Sequence, residues 1–295
     1  MLKDLRTLLL GALALGLSAT SALADQLVVG GKNFTEQQLM TAITSQYLEA
    51  KGYEVEARAG MGSSVLRSAQ LNGQVDLYWE YTGTGLITFN KVSERLGPAD
   101  TYARVKELDG KVGLVWLNPS KANNTYALAM RRDDAEQRGI KSLSDLAAAV
   151  NKGDKLNLAV NAEWYARPDG LKPLQAEYGF KFARKNVKRM DTGLTYVALK
   201  EGQVDVALVF ATDGRIPAFD FVVLEDDRHY FPAYALTPVV RQETLTANPE
   251  LAEQLNLLSA QLDDQVMAAL NARVDVERVA IEAVAEAFLK ERNLI

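Results

Sequence analysis

Cysteine is absent from all 295 residues, and histidine occurs once, at His229. These two absences exclude disulfides, thiolate nucleophiles, thiolate metal sites and any pair of histidines at metal-ligand spacing. His229 lies in the acidic segment Asp226-Asp227-Arg228-His229, which has the composition of an exposed turn. With no second histidine and no thiol, nothing completes a nucleophile–base constellation around it. Glycine-rich stretches are few, and Gly60–Ser64 and Thr82–Gly85 contain neither G-K-[ST] nor G-x-G-x-x-G, so no nucleotide signature is present. No catalytic residue, metal or cofactor is expected, and the chain does not read as an enzyme. A metal-free hydrolase built on Asp/Glu pairs is a distant alternative.

Positive charge is outnumbered, with 33 Lys and Arg against 38 Asp and Glu. The formal net charge is −5, and no basic face with interleaved aromatics occurs, which argues against nucleic acid and against anionic membranes. The one long apolar run is Leu8–Leu17, too short to span a bilayer. It follows Lys3 and Arg6 and precedes Ser21-Ala22-Leu23-Ala24, an A-x-A cleavage pattern. Met1–Ala24 is therefore expected to be a signal peptide cleaved after Ala24. Removing Lys3, Asp4 and Arg6 (net +1) takes the charge from −5 to −6. Export without a cysteine for lipid attachment points to a soluble protein of a Gram-negative periplasm.

What the chain does have is alternation. Apolar runs at Leu27–Val29, Leu77–Trp79, Val112–Trp116, Leu156–Val160, Val206–Phe210 and Phe221–Leu224 read as strands. Amphipathic stretches at Glu36–Lys51, Val65–Asn72, Ser142–Val150, Leu171–Tyr178 and Leu194–Glu201 read as helices, and Asn248–Leu289 is almost continuously helical in pattern. Strand and helix in turn predict an α/β architecture with mostly parallel sheets.

Asn72-Gly73-Gln74-Val75-Asp76-Leu77 recurs as Glu201-Gly202-Gln203-Val204-Asp205-Val206, an offset of 129 (205 − 76). The same offset sets Ser63 against Thr192, two expected N-caps, and Leu27-Val28-Val29 against Leu156-Asn157-Leu158. It also sets Tyr81 against Phe210, both read as sitting just after a strand. Two lobes on one plan would present both rings to a shared cleft, because ligands of open α/β sheets sit at the carboxyl ends of the strands. Thr125–Arg131 and Tyr234–Val240 fall outside the repeat and read as the two crossings between lobes, where a hinge can absorb closure.

Aromatics recur at the strand ends, among them Tyr81, Tyr126, Phe210 and Tyr234, with Lys32 and Arg167 nearby. A fully methylated nitrogen offers no N–H and is held by aromatic faces, each contributing roughly 0.5–2 kcal/mol when desolvated. A carboxylate at the other end of such a molecule calls for Arg, Lys or hydroxyl donors.

Six stretches carry a resemblance: Gly30-Gly31-Lys32-Asn33-Phe34-Thr35-Glu36-Gln37, Glu80-Tyr81-Thr82-Gly83-Thr84, Asn123-Asn124-Thr125-Tyr126-Ala127-Leu128, Ala166-Arg167-Pro168-Asp169-Gly170-Leu171, Ala211-Thr212-Asp213-Gly214-Arg215 and Pro232-Ala233-Tyr234. In this order the chain resembles the glycine betaine/choline/carnitine substrate-binding proteins of osmoprotectant ABC transporters. The resemblance implies a type II periplasmic-binding-protein fold, with residues 25–125 and 235–295 forming lobe I and 126–234 forming lobe II. It implies cage positions at Tyr81, Tyr126 and Tyr234, with Phe210 where some members have tyrosine, and a carboxylate grip by Lys32, Thr84 and Arg167. The expected partners are a small quaternary ammonium ligand and a membrane permease with a cytoplasmic ATPase, the binding protein itself being a monomer. An amino acid or another small zwitterion is the alternative ligand, with Glu80 as the candidate acceptor for its ammonium.

Overall fold

Two five-stranded sheets organise the chain. The computed structural model describes residues 26–295, so the expected signal peptide lies outside the described residues. Ten strands follow one another: β1 (Leu27–Lys32), β2 (Val55–Met61), β3 (Leu77–Tyr81), β4 (Leu114–Trp116), β5 (Tyr126–Arg131), β6 (Leu158–Asn161), β7 (Val187–Met190), β8 (Val206–Phe210), β9 (Phe221–Val223) and β10 (Leu236–Arg241). The spatial orders are β2-β1-β3-β10-β4 and β7-β6-β8-β5-β9. No described helix is long and apolar enough to cross a membrane.

Each sheet has four strands running one way and one reversed, β10 in the first and β5 in the second. The segments expected to be plain crossings are these reversed strands. Each belongs to a sheet because its alternate residues are apolar enough to be buried on both faces. The chain passes between sheets just before them, where Asn123 and Ala235 form an isolated antiparallel bridge.

The internal repeat is structural. β3 and β8 are fully buried along all five residues, as expected for central strands covered on both faces. Val29 pairs with Leu77 and Leu158 with Val206, the same register displaced by 129. Asp76 accepts from the Val28 N–H at 2.9 Å, and Asp205 accepts from the Asn157 N–H at 2.7 Å. Gly73 and Gly202 occupy the left-handed region at φ 74° and 68°, the turn from helix to strand that only a residue without Cβ adopts freely.

Three expectations need correction. Ser63 and Thr192 are the first helical residues rather than N-caps; Gly62 and Asp191 precede them with extended backbones and no side-chain cap. Both hydroxyls are spent on tertiary contacts instead, Ser63 donating to Glu163 and Thr192 accepting from Asn161. The C-terminal helical stretch breaks into Leu251–Ser259, Asp264–Asp275 and Ile281–Glu291. Asp263 restarts it by accepting from the Val266 N–H, and Arg278 interrupts it at φ 63°. Strands β2 and β7 have no counterpart among the apolar runs, because both are sheet edges with mostly exposed or half-exposed side chains.

The paired aspartates give a test of the repeat. Asp76 also accepts from Thr244 at 2.9 Å and from Arg241 at 3.5 Å, whereas Asp205 serves only Asn157 through its side chain. Asp205→Ala is expected to cost about 1–3 kcal/mol in urea unfolding, as a part-buried N–H loses its partner, and Asp76→Ala should cost more. Equal costs would mean the Thr244 and Arg241 contacts together contribute nothing.

Candidate functional site

A cavity of about 450 Å³ lies between the sheets at the carboxyl ends of β3 and β8, within the range of small-molecule pockets. The topology dictates its lining. Tyr81 and Phe210 are the last residues of β3 and β8. The reversed strands then bring their amino ends alongside, so Leu236 of β10 pairs with Tyr81 and Tyr126 of β5 pairs with Phe210. Tyr234, two residues before β10, arrives at the same place.

The rings form a continuous wall. Tyr126 stands edge-on to Tyr234 at 5.4 Å between centroids and lies 5.2 Å from Phe210. Phe210 stacks on Phe34 at 5.2 Å, and Phe34 lies nearly parallel to Tyr81 at 6.3 Å. Phe34 thus bridges the two rings that the repeat sets opposite each other. Sequence reasoning misses Phe34 as a site residue, because it offers no polar group and sits inside the stretch containing Lys32. Its place just before helix Thr35–Ala50, at the mouth of β1, was the available signal.

Six of the seven expected site residues line this cavity: Lys32, Tyr81, Thr84, Tyr126, Phe210 and Tyr234. Arg167 is close by but does not line it. Its guanidinium is buried behind the wall, 5.4 Å from the Tyr126 centroid and 5.8 Å from that of Tyr234. It binds Asp169 through two nitrogens at 2.7 and 2.8 Å and donates to Thr84 Oγ1 at 3.2 Å. Asp169 also accepts from the Tyr234 hydroxyl. Burial alone would pull the Arg167 pKa down, but the neighbouring Tyr126 and Tyr234 and the Asp169 pair outweigh it and hold the group well above its ordinary value.

Lys32 is likewise occupied. Its ammonium lies 5.1 Å from the Tyr81 centroid and donates to Glu80 at 2.5 Å. Glu80 is fully buried, accepts from Tyr78 and the Tyr81 N–H, and does not line the cavity. It is a structural carboxylate. Carboxylates that do face the cavity come from the second lobe, Glu163 and Asp191.

Past Phe34 and Phe210 the cavity continues into a recess of about 190 Å³ that includes Glu36, Thr212 and Asn271. Glu36 accepts from Tyr81 Oη and Asn124 Nδ2, both at 2.8 Å, from Thr212 Oγ1 at 2.5 Å and from Asn271 Nδ2 at 3.0 Å. Burial pushes the Glu36 carboxyl up, and these four donors oppose the shift. Burial and the Glu36 carboxylate also raise the Tyr81 hydroxyl far above the usual phenol range, which keeps it a donor.

This geometry agrees with the comparisons. Residues 25–291 match the model of the substrate-binding domain of ABC-type glycine betaine transport systems. The chain belongs to this family. A glycine-betaine-binding protein of Pseudomonas aeruginosa is 46% identical over 284 residues, covering 94% of this chain and 91% of that one. A carnitine transport binding protein of Listeria monocytogenes is 32% identical, covering 91% and 87%. Among solved structures, ligand-free YehZ of Escherichia coli matches with a TM-score of 0.68 at 34% identity over 92% of this chain and all of that one. The fold is that of the type II periplasmic binding proteins, as expected, and Arg167, Asp169 and Tyr234 of this family member form one buried group.

Asp169→Ala would leave the Arg167 guanidinium buried without its carboxylate, and the expected loss of stability is about 3–5 kcal/mol. Urea unfolding reads it. The pair variant Arg167→Met with Asp169→Leu should recover much of that loss, since no unpaired charge then remains.

Proposed function

We propose that the chain is an exported solute-binding protein that closes its lobes on a quaternary ammonium compound of the glycine betaine, choline or carnitine type. The observation that carries this reading is the wall of five rings, Phe34, Tyr81, Tyr126, Phe210 and Tyr234, drawn from both lobes onto one cavity. A trimethylated nitrogen has no hydrogen to donate, so stacked π faces in a desolvated site are what selects it. The names of the relatives support the same class.

In this proposal residues 25–125 and 235–295 act as lobe I and 126–234 as lobe II. Lys32 and Thr84 meet the carboxylate or hydroxyl end of the ligand. Arg167 acts one layer back, fixing Thr84 and Tyr234, which departs from the direct grip expected of it. The ligand engages both lobes only when they are closed and shifts the population that way. The closed monomer then delivers it to a membrane permease driven by a cytoplasmic ATPase. Export rests on the A-x-A pattern ending at Ala24.

The amino-acid alternative relied on Glu80 to receive a primary ammonium, and Glu80 is already satisfied by Lys32, Tyr78 and a backbone N–H. Calorimetry with glycine betaine, choline, carnitine and unmethylated glycine separates the readings. The methylated compounds are expected to bind and glycine is not; tighter binding of glycine would overturn the proposal. Tyr81→Ala, Tyr234→Ala and Phe34→Ala should each weaken glycine betaine at least about tenfold, given ~1–2 kcal/mol per desolvated ring face. Phe34→Tyr, which keeps the face, should not.

A further inference from the structure

Each central strand ends near a threonine that a buried charge of the other lobe grips. On the first lobe Thr84 follows β3 and receives Arg167 of the second. On the second lobe Thr212 follows β8 and donates to Glu36 of the first. The first contact sits behind Tyr126 and Tyr234, the second behind Tyr81 and Phe34. From this reciprocity we infer that Glu36 is a positioning residue that couples the orientation of the cage ring Tyr81 to closure of the lobes.

Glu36 divides its oxygens between these tasks. Oε1 takes Tyr81 and Asn124, while Oε2 takes Thr212 and Asn271. Thr212 is held at all three of its polar groups: its N–H is 3.4 Å from Asn124 Oδ1 and its carbonyl accepts from Asn271 Nδ2 at 2.9 Å. Helix Asp264–Asp275 supplies Asn271 and packs on helix Thr35–Ala50 of the first lobe. The fit is close. A Cβ on Gly214 would lie 2.5 Å from the Ala272 Cβ and 2.7 Å from the Ala268 carbonyl. Beyond it Arg215 joins Asp213 of its own lobe to Asp275 of the other, at 2.5 and 3.3 Å. Opening the lobes would strip Thr212 from Glu36, leaving a buried carboxylate short of donors with Tyr81 attached to it. A ligand that seats Tyr81 therefore also sets the acceptor that Thr212 needs.

This inference rests on the proposed ligand class for its affinity readout, and on the chain alone for its closure readout. The absence of cysteine allows two labels to be placed without background, at Gln74→Cys and Gln203→Cys, equivalent exposed positions of the two lobes. Single-molecule energy transfer then reports the closed fraction with and without glycine betaine, and calorimetry reports affinity. Thr212→Val removes one hydroxyl outside the ring wall. It is expected to lower the closed fraction in both conditions and to weaken glycine betaine roughly tenfold, the scale of a hydrogen bond to a charged group. Tyr81→Phe keeps the ring, and should weaken binding while leaving the ligand-free closed fraction unchanged. Glu36→Gln should reproduce both losses, and adding Thr212→Val to it should cause no further opening, the non-additivity of partners in one network. A purely structural Glu36 would lower the melting temperature but give additive effects. Equal closed fractions in wild type and Thr212→Val, or additive losses, would overturn the coupling. If the wild type binds neither glycine betaine nor choline, the ligand reading fails, and the ligand-free closed fractions still decide the role of Glu36.

Discussion

A guanidinium taken out of water needs its charge answered, and the cleft is organised around that requirement at Arg167. Asp169 answers it in bidentate form, Tyr126 and Tyr234 answer it through their faces, Thr84 accepts from it, and Glu163 lies 3.5 Å away. Those partners come from both sheets and from the passage between them. Satisfying one cation thereby fixes two rings of the wall and one loop of the opposite lobe. Buried ion pairs of this kind add little net stability over apolar packing, yet they are costly to break, which gives them value for specifying geometry. The same logic, with the sign reversed, applies to Glu36 and its four donors.

The repeat explains why these features come in pairs. Two copies of a strand–helix–strand plan place Tyr81 and Phe210 at equivalent strand ends, and the reversed strands set Tyr126 of β5 beside Phe210 and Leu236 of β10 beside Tyr81, with Tyr234 two residues before β10. Divergence between the copies is where function enters. Tyr81 retains a hydroxyl and uses it on Glu36, whereas Phe210 has none and stacks on Phe34 instead. The backbone N–H of Phe210 is satisfied by Tyr196 at 2.8 Å, so the strand end is held without a ring hydroxyl. A phenylalanine at this strand end is thus compatible with an intact wall.

Much of this was legible in the chain itself. Alternating apolar runs and amphipathic stretches carry the α/β class, because burial on both faces of a central strand and on one face of a helix leaves different periods. The offset of 129 carried the register, since a repeated helix–turn–strand unit must repeat its turn glycine and the aspartate that closes it. The absence of cysteine and of a second histidine excludes disulfides, thiolate chemistry and paired-histidine metal sites. Six of the seven residues named for the site line one cavity.

Tertiary structure alone decided the rest, for reasons of direction and distance. Whether Arg167 faces the ligand or stands behind Tyr126 depends on Asp169 two residues on, and sequence proximity does not state which way a side chain turns. Glu36 and Thr212 are 176 residues apart, and no local pattern marks a carboxylate whose donors arrive from four separate segments. The edge strands β2 and β7 were silent because exposed residues carry no burial signal, and the C-terminal helices broke where a capping aspartate and a left-handed arginine redirect the chain. Composition and periodicity determined what this protein is built from and what chemistry it can hold. Only packing determined which charges pair with each other, and so which groups are left for a ligand.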